Sequence, residues 1–129
     1  MIHKIGLLIV RDNRLLLCRK SYGTDLLILP GGKPDEGETE EQALEREILE
    51  ELGVSVSAIE HFGNYEDDAA GDPRRVRISL YSGVLGGEPA ASGEIAELVW
   101  FGAGDDRELV SPSIRRQILP DLLRRGILR

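Results

Sequence analysis

The sequence predicts an α/β fold in which helices cover a mixed β-sheet. The length of 129 residues is typical of one domain, and the 41% of hydrophobic residues is enough for a core. Apolar runs of strand length outnumber the segments with helical periodicity. No repeat, low-complexity tract or linker divides the chain. We therefore treat residues 1–129 as a single domain.

The first part of the chain is predicted to form strands. The runs IGLLIV and RLLLCRK flank Asp12 and Asn13, two turn-forming residues, which indicates a β-hairpin. LLILP indicates a third strand that ends at Pro30, before Gly31 and Gly32. The only cysteine, Cys18, lies within an apolar run and is interpreted as a core residue rather than a nucleophile.

The best-defined helix is predicted over about residues 40–52. Thr39 is followed three residues later by Gln42, the spacing of a capping box, and Gly53 follows as a stop signal. Between them, apolar residues recur every four positions, at Leu44, Ile48 and Leu52. This spacing predicts one buried face.

The second half of the chain is predicted to form three more strands and a last helix. The strand segments are VSVSAIEHFG, RRVRISLYSGVL and AELVWFG. In the middle segment the residues alternate, with Arg75 and Arg77 on one face and Val76, Ile78 and Leu80 on the other. Ser111 and Pro112 then indicate the start of a helix through SIRRQIL, broken or kinked at Pro120.

The charge and the N-terminal residues exclude several classes of protein. The 16 basic and 23 acidic residues give a net charge of −7, which argues against a general binder of nucleic-acid polymers or membrane surfaces. The N-terminal apolar run is too short for a signal peptide or a membrane span. A single cysteine cannot form an internal disulfide, so we expect a cytoplasmic protein.

The segment REILEEL concentrates negative charge on one side of the predicted helix. Glu47 lies three residues before Glu50 and four before Glu51, and each such pair of like charges costs about 0.2–0.5 kcal/mol. A solvated acidic face is one interpretation. A site for Mg²⁺ or Mn²⁺ is the other, because these hard cations prefer oxygen ligands. Arg46, four residues before Glu50, could pair with a carboxylate.

Residues 31–54, GGKPDEGETEEQALEREILEELGV, resemble the Nudix box. Gly32, five residues, Glu38, seven residues and then REILEELGV match its pattern throughout. The chain is similar to the MutT-like branch of the Nudix hydrolases. This resemblance implies a single Nudix domain, an α/β/α sandwich around a mixed β-sheet, and hydrolysis of a nucleoside diphosphate linked to another group.

The resemblance also implies roles for individual residues. The metal ligands would be Glu47, Glu50 and Glu51, with the Gly31 carbonyl adding another. Two further residues, Glu38 and Arg46, would orient these ligands.

A further carboxylate is expected in the MutT-like branch where Glu94 stands, six residues before Trp100. A solvated loop glutamate is the alternative. The general base varies within the family, so Glu47 and Glu94 are rival candidates.

Substrate contacts are predicted for basic residues, with plain surface charge as the alternative. The candidates are Arg19, Lys20, Arg75 and Arg77. Aromatic residues that could stack on a base are Tyr65, Trp100 and Phe101, of which the last two are also expected in a core.

Two departures from the family bear on the choice of substrate. Ser111-Pro112-Ser113 stands where oxidised-guanine hydrolases have an asparagine, and Ala70 stands where ADP-ribose hydrolases have a proline. We expect Mg²⁺-dependent or Mn²⁺-dependent hydrolysis of a nucleoside triphosphate. ADP-ribose or a nucleotide sugar is the alternative substrate, and a non-catalytic nucleotide-binding regulatory module is the alternative function. The oligomeric state is left open, with a homodimer among the alternatives.

Overall fold

A computed structural model describes residues 1–129. The strands are β1 (Ile2–Leu8), β2 (Val10–Arg11), β3 (Arg14–Lys20), β4 (Gly31–Gly32), β5 (Val56–Asp68), β6 (Arg75–Leu85) and β7 (Ile95–Phe101). The helices are α1 (Glu40–Leu52) and α2 (Leu119–Arg124), and α2 continues a π-helical turn at Ile114–Ile118. A short 3₁₀ turn lies at Arg107–Leu109. Neither helix has the length and apolar character needed to span a membrane.

The strands form two sheets, and the chain passes from the larger to the smaller sheet at Ile9, between β1 and β2. The larger sheet has the order β4-β1-β6-β5, and it is mixed because β1 and β6 run parallel while the other pairs are antiparallel. The smaller sheet has the order β2-β3-β7 and is antiparallel. The predicted mixed sheet is therefore confirmed.

Two apolar clusters lie on opposite faces of the sheets. The alternation of strand residues divides the run of leucines in β3: Leu16 packs in the cluster that contains the buried residues of α1, whereas Leu15 and Leu17 pack in the cluster that contains α2. Helices thus cover both faces. The predicted α/β/α arrangement is confirmed.

The predictions for α1 and the first hairpin are confirmed. The side chain of Thr39 caps α1 in a capping box with Gln42, and Gly53 ends the helix at φ 69°. Asp12 and Asn13 have φ values of 51° and 59°, as a tight hairpin turn between β2 and β3 requires.

The prediction that LLILP forms a strand is wrong. Cys18 and Ile28 form an isolated pair, and Leu27 forms a single bridge with Val110. The ladder does not extend because Pro30 has no N–H to donate, although its carbonyl accepts from the amide of Leu7. The segment is a connection with buried side chains, and the paired residues after it are those of β4.

Two other segments differ from their predictions. Of the predicted break or kink at Pro120, only the break is wrong: the helical path continues, and the turn before the proline widens, with the amide of Leu119 donating to the carbonyl of Ile114. A wide turn makes room for a proline ring that would clash with the preceding turn of a regular helix. β5 extends five residues beyond the predicted segment, to Asp68, and its pairing with β6 is interrupted by bulges.

Candidate active site

Strand β4 brings the glycine-rich loop against the sheet. Gly31 has a φ of +142°, and a Cβ there would lie 2.1 Å from the carbonyl oxygen of Ile5, so only glycine fits. This close approach aims the amide of Gly31 at α1, where it donates to Oε1 of Glu51 at 2.7 Å. The loop and the helix are therefore joined at the predicted site.

Helix α1 places its three site carboxylates in different environments. Its apolar face is fully buried through Ala43, Leu44, Ile48 and Leu52. Glu51 is only 6% exposed, whereas 59% of the Glu50 side chain is exposed. Glu47, Glu50 and Glu51 line one cleft, and we call them the acidic set.

Arg46 organises the carboxylates around it. Its guanidinium binds Glu38 with two hydrogen bonds, from Nε at 2.8 Å and from Nη2 at 2.9 Å, and it donates from Nη1 to Oε1 of Glu47 at 2.9 Å. The ion pair with Glu50 is longer, at 3.6 Å. Glu38 also accepts from the amide of Asp35. The sequence spacing suggested Glu50 as a partner, but the fork geometry favours Glu38 and Glu47.

Burial and hydrogen bonds set the pKa values of these carboxyl groups. The hydrogen bonds from Arg46 lower the pKa of Glu38 to about 2. Burial raises the pKa of Glu51 to about 7, although the amide of Gly31 acts in the opposite direction, and the charge of Glu47 adds to the rise. Burial also raises the pKa of Glu47, against the effect of Arg46. Close, desolvated carboxylates of this kind are typical of functional sites.

The acidic set fits a divalent cation. Glu47 and Glu51 each use Oε1 for a protein hydrogen bond, and their Oε2 atoms have no protein partner. The three carboxylates do not yet converge on one point as a preformed group of ligands. A cation would draw the free oxygens together and relieve the repulsion between them. Oxygen donors of this type suit Mg²⁺ or Mn²⁺.

Glu94 reaches the same cleft on a loop that is fastened to α1. The amide of Ser92 donates to the carbonyl of Glu51 at 3.0 Å, and the amide of Ser21 donates to the carbonyl of Glu94 at 2.9 Å. The loop is held between the end of α1 and the end of β3. The cleft, about 770 Å³ in volume, therefore includes the predicted fourth carboxylate.

Basic residues in the cleft are lysines. The chain has three lysines, Lys4, Lys20 and Lys33, and all of them line the cleft; we call them the lysine set. None of the three forms an ion pair, whereas arginines dominate the ion pairs elsewhere. The lysine set therefore places unpaired positive charge in the cleft.

The structure brings Lys20 to the site but not the other predicted basic residues. Arg19 binds Glu97 on β7, and Arg75 binds Asp68. Neither of these arginines lines the cleft, and nor does the exposed Arg77. β-strand alternation explains the difference between Arg19 and Lys20, because neighbouring side chains point to opposite faces.

The aromatic candidates also lie elsewhere. The Tyr65 hydroxyl donates to Asp121 at 2.5 Å, Trp100 is half-buried beneath the guanidinium of Arg11, and Phe101 is 1% exposed in the core. The aromatic residue that does line the cleft is Tyr22, which is 58% exposed. It lies in a loop without periodicity, so no sequence pattern singled it out.

A small cavity of about 50 Å³ adjoins the cleft on the face of the sheet that α2 covers. Ser111 and Ser113 line it, and their hydroxyl oxygens lie 3.3 Å apart. Lys4 and Lys20 line both the cavity and the cleft. The serines that replace the expected asparagine are therefore part of the same continuous space. The sequence analysis did not select Lys4, although its place in the strand alternation between Ile2 and Gly6 was a usable signal.

Comparison with known proteins agrees with this geometry. The NUDIX domain model matches residues 3–122. The chain is 31% identical over 112 residues to a putative 8-oxo-dGTP diphosphatase from Bacillus subtilis, with 86% of this chain and 73% of that protein covered. It is 35% identical over 98 residues to an ADP-ribose pyrophosphatase from Methanocaldococcus jannaschii, with 73% and 57% covered.

A solved structure gives the same result. The MutT NUDIX hydrolase from Burkholderia pseudomallei superposes with a TM-score of 0.75 at 28% identity, covering 88% of this chain and 92% of that chain. The family model spans nearly the whole chain, and the fold and the position of the Nudix box agree with it. The chain therefore belongs to the NUDIX domain family and is a Nudix-type hydrolase.

Proposed function

We propose that this enzyme hydrolyses a diphosphate linkage in a nucleoside triphosphate, with Mg²⁺ or Mn²⁺ as its cofactor. The observation that carries the proposal is the meeting of the acidic set and the lysine set in one cleft. The acidic set would bind the cation, and the lysine set would contact the substrate phosphates. The first of these roles explains why α1 tolerates closely spaced carboxylates, and the second explains why the lysines have no protein partner.

The residues divide the chemistry as follows. Glu47, Glu50 and Glu51 would hold the cation, with the Gly31 carbonyl as a further ligand. When bound, the cation supplies positive charge that stabilises the phosphoryl group under attack. Arg46 and Glu38 hold Glu47 in one orientation through the hydrogen bonds described above.

The reaction itself requires a base for the attacking water and positive charge near the phosphate that leaves. The oxygen of a water molecule forms the new bond to phosphorus while the bond to the bridging oxygen breaks, and the proton of the water passes to a carboxylate. Glu47 and Glu94 are the two candidates for this base. Lys20 and Lys33 would bind the substrate phosphates, including the one that leaves, with similar strength before and during the reaction.

The relatives guide the choice of substrate. The B. subtilis relative bears the name of an oxidised-guanine nucleotide diphosphatase, and the M. jannaschii relative bears that of an ADP-ribose pyrophosphatase. We prefer a nucleoside triphosphate, because the proline expected in ADP-ribose hydrolases is replaced by Ala70. We expect the reaction to take place in the cytoplasm, where nucleotides are present and the single buried Cys18 stays reduced.

A screen of phosphate and pyrophosphate release tests this proposal. The substrates are nucleoside triphosphates, their oxidised forms, ADP-ribose and nucleotide sugars, each with Mg²⁺ and with Mn²⁺. We expect a nucleoside monophosphate and pyrophosphate from at least one triphosphate. If ADP-ribose is the only compound hydrolysed, the alternative substrate replaces the nucleoside triphosphate. Nucleotide binding with no products from any compound would favour the non-catalytic module.

Comparing Glu47→Gln with Glu94→Gln identifies the base. Loss of the base should lower kcat and remove the acidic limb of the pH profile of kcat. A variant that has lost only a cation ligand should recover at high Mg²⁺ concentration. If both variants retain an unchanged pH profile, neither glutamate is the base.

A further inference from the structure

Lys4 occupies an unusual position on the sheet. On β1, Ile5 and Leu7 face the cluster that contains α1, so the alternating residues Ile2, Lys4, Gly6 and Leu8 face the side covered by α2. Ile2 and Leu8 are buried in that core. Between them, a lysine and a glycine replace the apolar side chains that the pattern predicts. The small cavity lies at this interruption.

Keeping the charged side chain of Lys4 at this half-buried place has an energetic cost. Lys4 is half-buried and forms neither a hydrogen bond nor an ion pair with the protein through its ammonium group. Burial lowers its pKa, as do the charges of Lys20 and Lys33, while Glu51 and Asp72 act in the opposite direction. An apolar residue would pack there at lower cost, which indicates that the ammonium group has a partner in the bound state.

The surroundings define the chemistry of this partner. Most of the cavity wall is apolar, with Ile28, Leu29 and Ile114 among its residues, and its polar side chains are Lys4, Lys20, Ser111 and Ser113. A phosphate group, which carries several charges and is strongly hydrated, does not suit apolar walls. A planar base has apolar faces and a polar edge, and it does suit them.

We propose that Lys4 determines base specificity by donating a hydrogen bond to a carbonyl oxygen on the edge of the substrate's base. An ammonium group has three donors and no acceptor. It therefore favours bases with a keto group, such as hypoxanthine, guanine and uracil, over bases with an amino group at the equivalent position. Ser111 and Ser113 can donate or accept, so they adapt to the neighbouring ring nitrogen. This inference rests on the proposed function and names the class of substrate that the site takes.

Two pairs of nucleotides test this contact; within each pair the adjacent ring nitrogen also changes from donor to acceptor, a change that the serine hydroxyls can accommodate. ITP and ATP differ at the purine 6-position, and UTP and CTP differ at the pyrimidine 4-position, with keto in the first member and amino in the second. For the wild type we expect a higher kcat/KM for the keto member of at least one pair. In Lys4→Met, which has a similar volume, the keto-to-amino ratio should fall by about 10-fold or more, the size expected for one specific hydrogen bond to a base.

Lys33→Met is the matched control, because Lys33 lines the cleft but not the cavity. It removes a second lysine of the cleft, and we expect it to lower kcat/KM for all four nucleotides by a similar factor, with the keto-to-amino ratio unchanged. If Lys4→Met behaves like Lys33→Met, Lys4 contacts phosphate and the proposal is overturned. A thermal melt shows that Lys4→Met is folded, and we expect its Tm to be unchanged or higher because a half-buried charge is lost.

A binding measurement separates this inference from the proposed function. Titration calorimetry of IMP and AMP with the metal-free wild type and with Lys4→Met requires no turnover. We expect the wild type to bind IMP more tightly than AMP and Lys4→Met to lose that preference. Equal binding of both nucleotides by the wild type would overturn the role of Lys4 even if the enzyme is active. A wild type that binds with this preference but hydrolyses nothing would instead contradict the proposed function.

Discussion

The acidic set and the lysine set line the same cleft but are held in different ways. The acidic set comes from two turns of one helix, and two of its members already have hydrogen-bond partners in the protein. The lysine set comes from β1, β3 and the loop after β4, and its members have none. We infer that the protein orients two carboxylates of the proposed cation site before a cation binds and leaves the proposed substrate contacts to form on binding. Each prediction below tests this contrast.

Removal of the cation should have the largest effect. The net charge of −7 and the exposed carboxylates repel a polyphosphate unless a cation shields them. We expect hydrolysis to disappear in chelator and to return when Mg²⁺ or Mn²⁺ is added. Full activity in chelator would show that the lysine set is sufficient by itself.

Neutralising one member of the acidic set should have the next largest effect. Glu50→Gln and Glu51→Gln keep the volume of the side chain and remove a ligand charge. We expect kcat to fall by at least about 10²-fold, by analogy with the loss of one preorganised electrostatic group. Steady-state kinetics at the Mg²⁺ concentration that just saturates the wild type provides the measurement. Rates near that of the wild type would favour the alternative interpretation, in which both residues belong to a solvated acidic face.

Removing one lysine should have a smaller effect that differs in kind. Lys20→Met would remove the proposed contact with the substrate, so we expect KM to rise about 10-fold while kcat changes less. The control is Arg14→Met, at an exposed position outside the cleft. A fall in kcat with unchanged KM would place Lys20 among the groups that act in the transition state and would weaken the contrast between the two sets.

The effect of Mg²⁺ on stability sharpens the comparison further. A cation that binds only the folded protein adds about 2.7 kcal/mol at a hundredfold excess over its Kd, so the Tm of the wild type should rise by several degrees. Glu51→Gln should lose most of that rise. Thermal melts with chelator and with Mg²⁺ give the comparison. If both proteins respond equally to Mg²⁺, Glu51 is not a principal ligand.

The smallest effect concerns the metal-free fold. In Glu51→Gln, the amide oxygen can still accept from the amide of Gly31 while one charge repulsion is lost, so we expect a change of only tenths of a kcal/mol. Glu51→Ala leaves that buried amide without a partner and should cost about 1–3 kcal/mol. Urea unfolding in chelator measures both. Equal stability of the two variants would mean that the hydrogen bond to Gly31 contributes nothing.

Local features determined the helix and its chemistry. The capping box, the four-residue apolar spacing and Gly53 specify α1 within 15 residues, and the carboxylates follow from their positions on that helix. The same holds for the hairpin at Asp12 and Asn13. These features depend on neighbours in sequence, and the residues themselves are sufficient to predict them.

The rest of the site depends on contacts between distant segments. The amide of Gly31 meets Glu51 only because β4 pairs with β1. Lys4 reaches the cleft only because its strand, β1, lies in the middle of the larger sheet. Arg75 and Arg77 were equally basic in sequence, yet β6 presents them away from the cleft. The sequence by itself determined which helix carries the carboxylates. Only the tertiary structure decided which basic side chains face these carboxylates. Pairing between strands that are remote in sequence sets that geometry, and no local spacing encodes it.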